Sequence, residues 1–136
     1  MKTADILRIR LQNQQLTTSH FKTPQEIVSW MGVMQAQEYV ISKWAIGIRL
    51  PQSTEKGIDK SLDKGDILRT HLLRPTWHYV AAEDIHWMLV LSAPRQKAAM
   101  KFREKFLGLT PAIYNKSNKV IEKVLSTGEH LTRKEL

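Results

Sequence analysis

The sequence predicts a mainly α-helical chain with one small β-hairpin, an α+β fold. Three observations carry that prediction. Apolar residues recur at helical spacing through residues 3–50, the period shortens to strand-like runs over 67–80, and helical spacing returns after Glu83. With 136 residues, 42% of them hydrophobic and 25% charged, the chain is long enough for one domain with a core, or one small domain and part of another.

Each element has its own signal. Residues 3–15 predict a helix, with Ile6, Leu7 and Leu11 on one side and Arg8, Arg10 and Gln12 on the other. Residues 16–20 break the pattern. A second helix is expected over 24–34: Thr23 can cap it, Pro24 suits its first position, and Glu26 completes a capping box. Its apolar face is Ile27, Val28, Met31 and Met34. A third helix is expected over 38–50, where Val40, Ile41, Trp44, Ala45 and Ile48 form an apolar face and Ser42, Lys43 and Arg49 a polar one. Pro51 ends it. Residues 52–65 are polar, with one short helical turn around 57–62. Residues 67–73 and 76–81 are β-branched or aromatic runs on either side of Arg74 and Pro75, which predicts a hairpin with a loop longer than two residues.

Beyond the hairpin, Glu83 and Asp84 are expected to place acid in the first turn of a helix with Ile85, Met88 and Leu89 inward. Pro94 is expected to separate it from a basic helix bearing Ala98, Ala99, Phe102 and Phe106, and Thr110-Pro111 starts another. The domain expectation is residues 1–93, then basic linking helices and the start of a second domain in 94–136. The capping box at Thr132–Glu135 opens a helix that Leu136 leaves inside its first turn, so a longer protein with a further domain is expected.

The chain carries 21 Lys plus Arg against 13 Asp plus Glu, a net charge of +8, which favours an anionic partner with nucleic acid first. Eight basic residues against two acidic between Pro94 and Leu125 hold six of those eight charges, and Lys97, Lys101 and Arg103 are the candidate phosphate contacts there. A solvated helix surface would explain the same run. No cysteine is present, which excludes disulfides, thiolate zinc sites and a cysteine nucleophile. The N-terminus has no apolar leader-like core and no run reaches membrane-spanning length, so the cytoplasm is the expected location.

Three helices followed by a hairpin is the order of a winged helix, a helix-turn-helix with a β wing, here followed by linking helices. In such a fold the third helix is the usual major-groove reader. Lys43 and Arg49 on that helix, and Arg69, His71 and Arg74 on the hairpin, suit phosphate or base contacts with double-stranded DNA. A winged helix serving protein contacts is the alternative. His71 and His78 could approach across the hairpin, but no acidic or cysteine partner accompanies them, so no metal and no other cofactor is expected. The four tryptophans sit mostly at core-periodic positions, with Trp77 open as a base-stacking platform.

Met34-Gln35-Ala36-Gln37-Glu38 lies between two amphipathic segments. On a helix its two glutamines would stand roughly 200° apart, whereas an extended backbone would aim both amides the same way. If they act together, the second helix has to loosen near Met34; otherwise both are solvated helix-end residues.

Four stretches carry a resemblance: R-L-Q-N-Q-Q-L at 10–16, M-Q-A-Q-E at 34–38, W-A-I-G-I-R at 44–49, and I-L-R-T-H-L-L-R-P-T-W-H-Y-V at 67–80 followed by E-D-I-H-W-M. In order and spacing they resemble the N-terminal part of the AlkZ-like winged-helix DNA glycosylases, whose family name is winged helix DNA-binding domain protein. The resemblance implies three winged helices around a DNA channel closed by a β-barrel, and excision of N7-alkylated purines, interstrand crosslinks included. It also implies a monomer without a cofactor, and a catalytic signature of Gln-apolar-Gln or Gln-apolar-Asp. Gln35-Ala36-Gln37 matches the first form, which makes Gln35 and Gln37 the expected catalytic residues. On this reading the 136 residues alone should excise little. The competing reading is a winged-helix transcription regulator that binds DNA without cutting it.

Overall fold

The computed structural model describes residues 2–73, 76–128 and 130–136; Arg74, a predicted DNA contact, lies outside the described residues. The chain divides into two compact units, Met1–Gln96 and Lys97–Leu136. Helices α1 (Thr3–Asn13), α2 (Pro24–Met31), α3 (Tyr39–Gly47) and α4 (Glu55–Asp63) belong to the first, with strands β1 (Met34–Gln35), β2 (Ile67–His71) and β3 (Trp77–Ala81). Helix α5 (Ile85–Phe106) begins in it, and α6 (Pro111–Leu125) belongs to the second. The architecture is mainly helical with one small antiparallel sheet.

The start of α2 is set by three residues. Thr23 Oγ1 accepts from the Glu26 N–H at 3.2 Å, while the Glu26 carboxylate accepts from the Lys22 and Thr23 N–H groups. Those backbone donors hold the Glu26 carboxyl below its usual range. The helix stops at Met31, three residues before the expected end, because Gly32 adopts φ +72°, a conformation that breaks the helix and that glycine enters freely.

Past Gly32 the chain enters a strand. β1 pairs with β3 (Met34 opposite Tyr79, Gln35 opposite His78) and β2 pairs with β3 from Ile67–Ala81 to His71–Trp77, giving the order β1-β3-β2. Alternation along these strands divides the core. Met34, Ile67 and Tyr79 point to one side, where Ile27, Val28, Ala36, Ile46, Leu50 and Ile58 close over them. Leu72 and Val80 point to the other, against Met88, with Val33, Leu68 and Ile85 alongside.

Three expectations need correction here. Residues 55–63 form a full capped helix rather than one turn: Thr54 Oγ1 accepts from the Gly57 N–H at 3.1 Å, and Ile58 is buried. Pro94 does not divide two helices; it sits inside α5, at the cost of one backbone hydrogen bond. The third correction concerns α3, which is rolled opposite to its apolar pattern. Val40, Ile41, Trp44 and Ile48 are exposed, Trp44 by 74%, while Ser42, Lys43, Ile46 and Arg49 are buried. Trp30 and Trp87 are likewise exposed rather than core.

The second unit buries no side chain of its own α6, and the Lys97, Lys101, Phe102, Arg103 and Phe106 side chains are all exposed. Thr110 caps α6, accepting from the Ile113 N–H at 3.3 Å. Among the described residues no helix is long and apolar enough to cross a membrane.

Candidate functional site

The Gln-Ala-Gln stretch is not helical: it begins in strand β1 at Gln35 and bends at Gln37. The middle residue, Ala36, is fully buried in the core and its N–H donates to the Trp77 carbonyl at 2.8 Å, one step past the last formal pair of β1. Gln35 and Gln37 are exposed on either side of it. In the strand Gln35 leaves the backbone on the face away from Met34, the face that His78 and Thr70 also occupy, while Gln37 lies at the bend where the chain leaves the sheet. The helix loosening that joint action requires is therefore present, at Gly32.

The two amides differ in their surroundings. Gln37 Oε1 accepts the Trp77 backbone N–H at 3.3 Å. Because that N–H can only donate, it also fixes which end of the amide faces β3. The Gln35 amide makes no hydrogen bond among the described residues. Glu38 is the N-cap residue of α3; its carbonyl accepts from the Ser42 N–H at 2.8 Å, and its carboxylate is exposed and makes no capping bond.

Arg69 holds this stretch from across the sheet. Its Nε donates to the Ala36 carbonyl at 2.9 Å and its Nη2 to the Gln37 carbonyl at 3.0 Å. The guanidinium also lies 4.4 Å from the Trp77 ring centre and 5.5 Å from that of Tyr39. His71 continues the stack, its ring centre 4.1 Å from that of Trp77. His71 and His78 therefore do not approach: the first shares a sheet face with Trp77, the second the opposite face with Thr70.

The remaining predicted contacts go elsewhere. Lys43 Nζ lies 2.6 Å from Glu55 and 2.9 Å from Asp59, and those carboxylates keep its ammonium protonated well beyond the usual lysine range. Asp59 is held below the usual carboxylate range by Lys43 and by the Tyr39 hydroxyl, which donates to it at 3.0 Å. Arg49 donates to the Gln14 carbonyl (2.8 Å), the Ala45 carbonyl (2.6 Å) and Gln14 Oε1 (3.1 Å), and burial lowers its pKa. Both cations expected on a solvent face are turned into the protein, because each has several acceptors waiting inside.

Tyr39 is not a candidate by sequence, and nothing in the local pattern singles it out. A groove of about 320 Å³ between α3 and α4, lined in part by Val40, Trp44, Ile48 and Ile58, contains neither glutamine nor Arg69 in its lining. The glutamine stretch lies on the sheet edge, apart from that groove. A family model described as "AlkZ-like: DNA glycosylase AlkZ-like" matches residues 28–136. No curated protein and no solved structure matches.

Proposed function

The chain belongs to the AlkZ-like DNA glycosylase family, and we propose that Gln35 and Gln37 carry base excision in it, acting on cationic N7-alkylated purines, crosslinked ones included. The observation that supports this most is the non-helical Gln-Ala-Gln backbone at the sheet edge, with Ala36 buried and both glutamines exposed. DNA is the partner that the family implies.

The chemistry explains amides where carboxylates are usual. Glycoside hydrolysis ordinarily needs one carboxylic acid to protonate the leaving group and a second carboxylate as base or nucleophile. A purine alkylated at N7 already carries positive charge, so it departs without a general acid. What remains is to place water at the anomeric carbon and stabilise an oxocarbenium ion. Oriented amide dipoles serve both purposes if they are preorganised. Amides are poor bases, so uncharged lesions should not be substrates.

The element order α2-β1-α3-α4-β2-β3, with β1 against β3, supports a winged helix. Read so, its third helix is α4, not α3, and the β2–β3 hairpin is the wing. We assign duplex binding, as a monomer with little sequence preference, to Lys97, Lys101 and Arg103 and to the hairpin bearing His71 and Arg74. Lys43 and Arg49 have no free donor face for that task. The test is release of 7-methylguanine from alkylated duplex DNA by the full-length protein, with chelator present. Release that survives the chelator is expected, since a cationic leaving group needs no Lewis acid. Tight duplex binding without release, by a dimer that prefers a palindrome, would instead identify a regulator.

A further inference from the structure

We propose that Arg69 is a positioning residue for the glutamine pair, not a phosphate contact. This deepens the reading of Gln35 and Gln37 as the excising residues and rests on it.

Strand order sets the constraint. β2 and β1 lie on opposite edges of β3, so a side chain on β2 reaches the glutamine stretch only by crossing the middle strand. Arg69 is opposite Tyr79 and its guanidinium crosses beside the Trp77 ring, 4.4 Å from the ring centre. It ends on two successive carbonyls, those of Ala36 and Gln37, at 2.9 and 3.0 Å. There the chain is leaving the sheet: β1 has only two paired residues, and past the Ala36 N–H no further backbone ladder holds it. The two carbonyls belong to the peptides on either side of Gln37. Fixing both fixes the backbone from which that side chain projects, and the Trp77 N–H then fixes its amide oxygen.

The residue type suits the task. A planar fork with several donors can hold two carbonyls in one plane, whereas an ammonium holds a point. Two of the five guanidinium donors are committed to backbone carbonyls here, and the Trp77 ring flanks the group. Assigning every hairpin cation to DNA misses this role, because the acceptors lie more than 30 residues away in the chain.

The experiment compares wild type with Arg69→Lys, which keeps the charge and loses the fork. Arg69→Met, which keeps the stem against Trp77 and removes both donors, is the second variant should the first fail to fold. Single-turnover release of 7-methylguanine at saturating protein should slow roughly 10–100-fold, the lower part of the range for losing preorganisation of a polar group. Affinity for undamaged duplex and its salt slope should not change. In Arg69→Met, which removes the charge, a phosphate contact would show the reverse, a slope smaller by about 0.9 with the saturated rate intact, and would overturn the proposal. Amide exchange separates this claim from the excision reading. In either variant the Ala36 N–H should exchange at least about tenfold faster while the Ile27 N–H keeps its protection. If wild type releases no base, the excision reading falls and the exchange result still decides whether Arg69 holds the stretch. Unchanged protection of Ala36 would overturn the proposal outright.

Discussion

The glutamine edge and helix α3 are consecutive in sequence, both are expected from sequence to face DNA, and they fold in opposite senses. At the edge, the backbone is held by Trp77 and Arg69 and the two polar side chains are left outward. On α3 the polar side chains do the holding. The Ser42 hydroxyl donates to the Tyr39 carbonyl and accepts from the Tyr79 hydroxyl, Lys43 is ion-paired to α4, and Arg49 anchors the end of α1, while the apolar stripe faces out. The difference offers a rule for this protein. A polar side chain stays exposed where backbone contacts do most of the holding, and is buried where the side chain itself does it.

The largest effect that could break this comparison is on stability. Ile46 is fully buried, whereas Trp44, two residues earlier, is 74% exposed. Ile46→Ala should cost about 2–5 kcal/mol in urea unfolding, the range for deleting a core aliphatic side chain. Trp44→Ala should stay within about 0.5 kcal/mol, as surface changes do. Costs in the opposite order would restore the apolar stripe of α3 to the core.

A second measurement sharpens the contrast through salt. Replacing exposed Lys97, Lys101 and Arg103 together with Ala should flatten the dependence of log affinity on log salt by roughly 2–3, at about 0.9 per phosphate neutralised. Arg49→Met should leave the slope alone, because its guanidinium faces Gln14 and Ala45. A flattened slope in Arg49→Met would place that cation on DNA. An unchanged slope in the triple variant would leave the basic helix a solvated surface.

The smallest effect is on pH dependence. Asp59 has a folded pKa below its ordinary 3.8, so its contribution to stability is complete above that value. That contribution is lost as pH falls below 3.8 through the depressed value. Asp59→Asn should therefore lose stability less steeply than wild type on acidification in that window. The amides at the edge do not titrate, so base release should show no ionisation belonging to them. Equal acid sensitivity of wild type and Asp59→Asn would mean that the Lys43 cluster does not hold α3 to α4.

How much of this is legible in the sequence depends on the range of the interactions. The start of α2 is readable because Thr23, Pro24 and Glu26 act within four residues, and the hairpin because β-branched and aromatic residues cluster in 67–80. The end of α2 is less so, since a glycine shows that positive φ is allowed but not that it is used. β1 is two residues long, too short for a period, and exists only because β3 arrives to pair with it. The roll of α3 escapes local reading for the same reason. Its buried polar groups find partners 16, 35 and 37 residues away, and local periodicity weighs only the apolar residues. At the site, spacing and resemblance find Gln35 and Gln37, but Arg69 reads as a DNA contact because its carbonyl partners carry no sequence signature.

The central claim is that the two amides serve excision and not binding. Its most direct test measures Gln35→Ala and Gln37→Ala in the full-length protein, on alkylated duplex for release of 7-methylguanine and on undamaged duplex for affinity. Each should slow single-turnover release by roughly 10²–10³-fold, the scale for losing one preorganised polar group in a transition state. Affinity should stay near wild type, because phosphate contacts dominate it. Wild-type release rates in both folded variants would contradict the account and leave the stretch as a structural edge of a binding module.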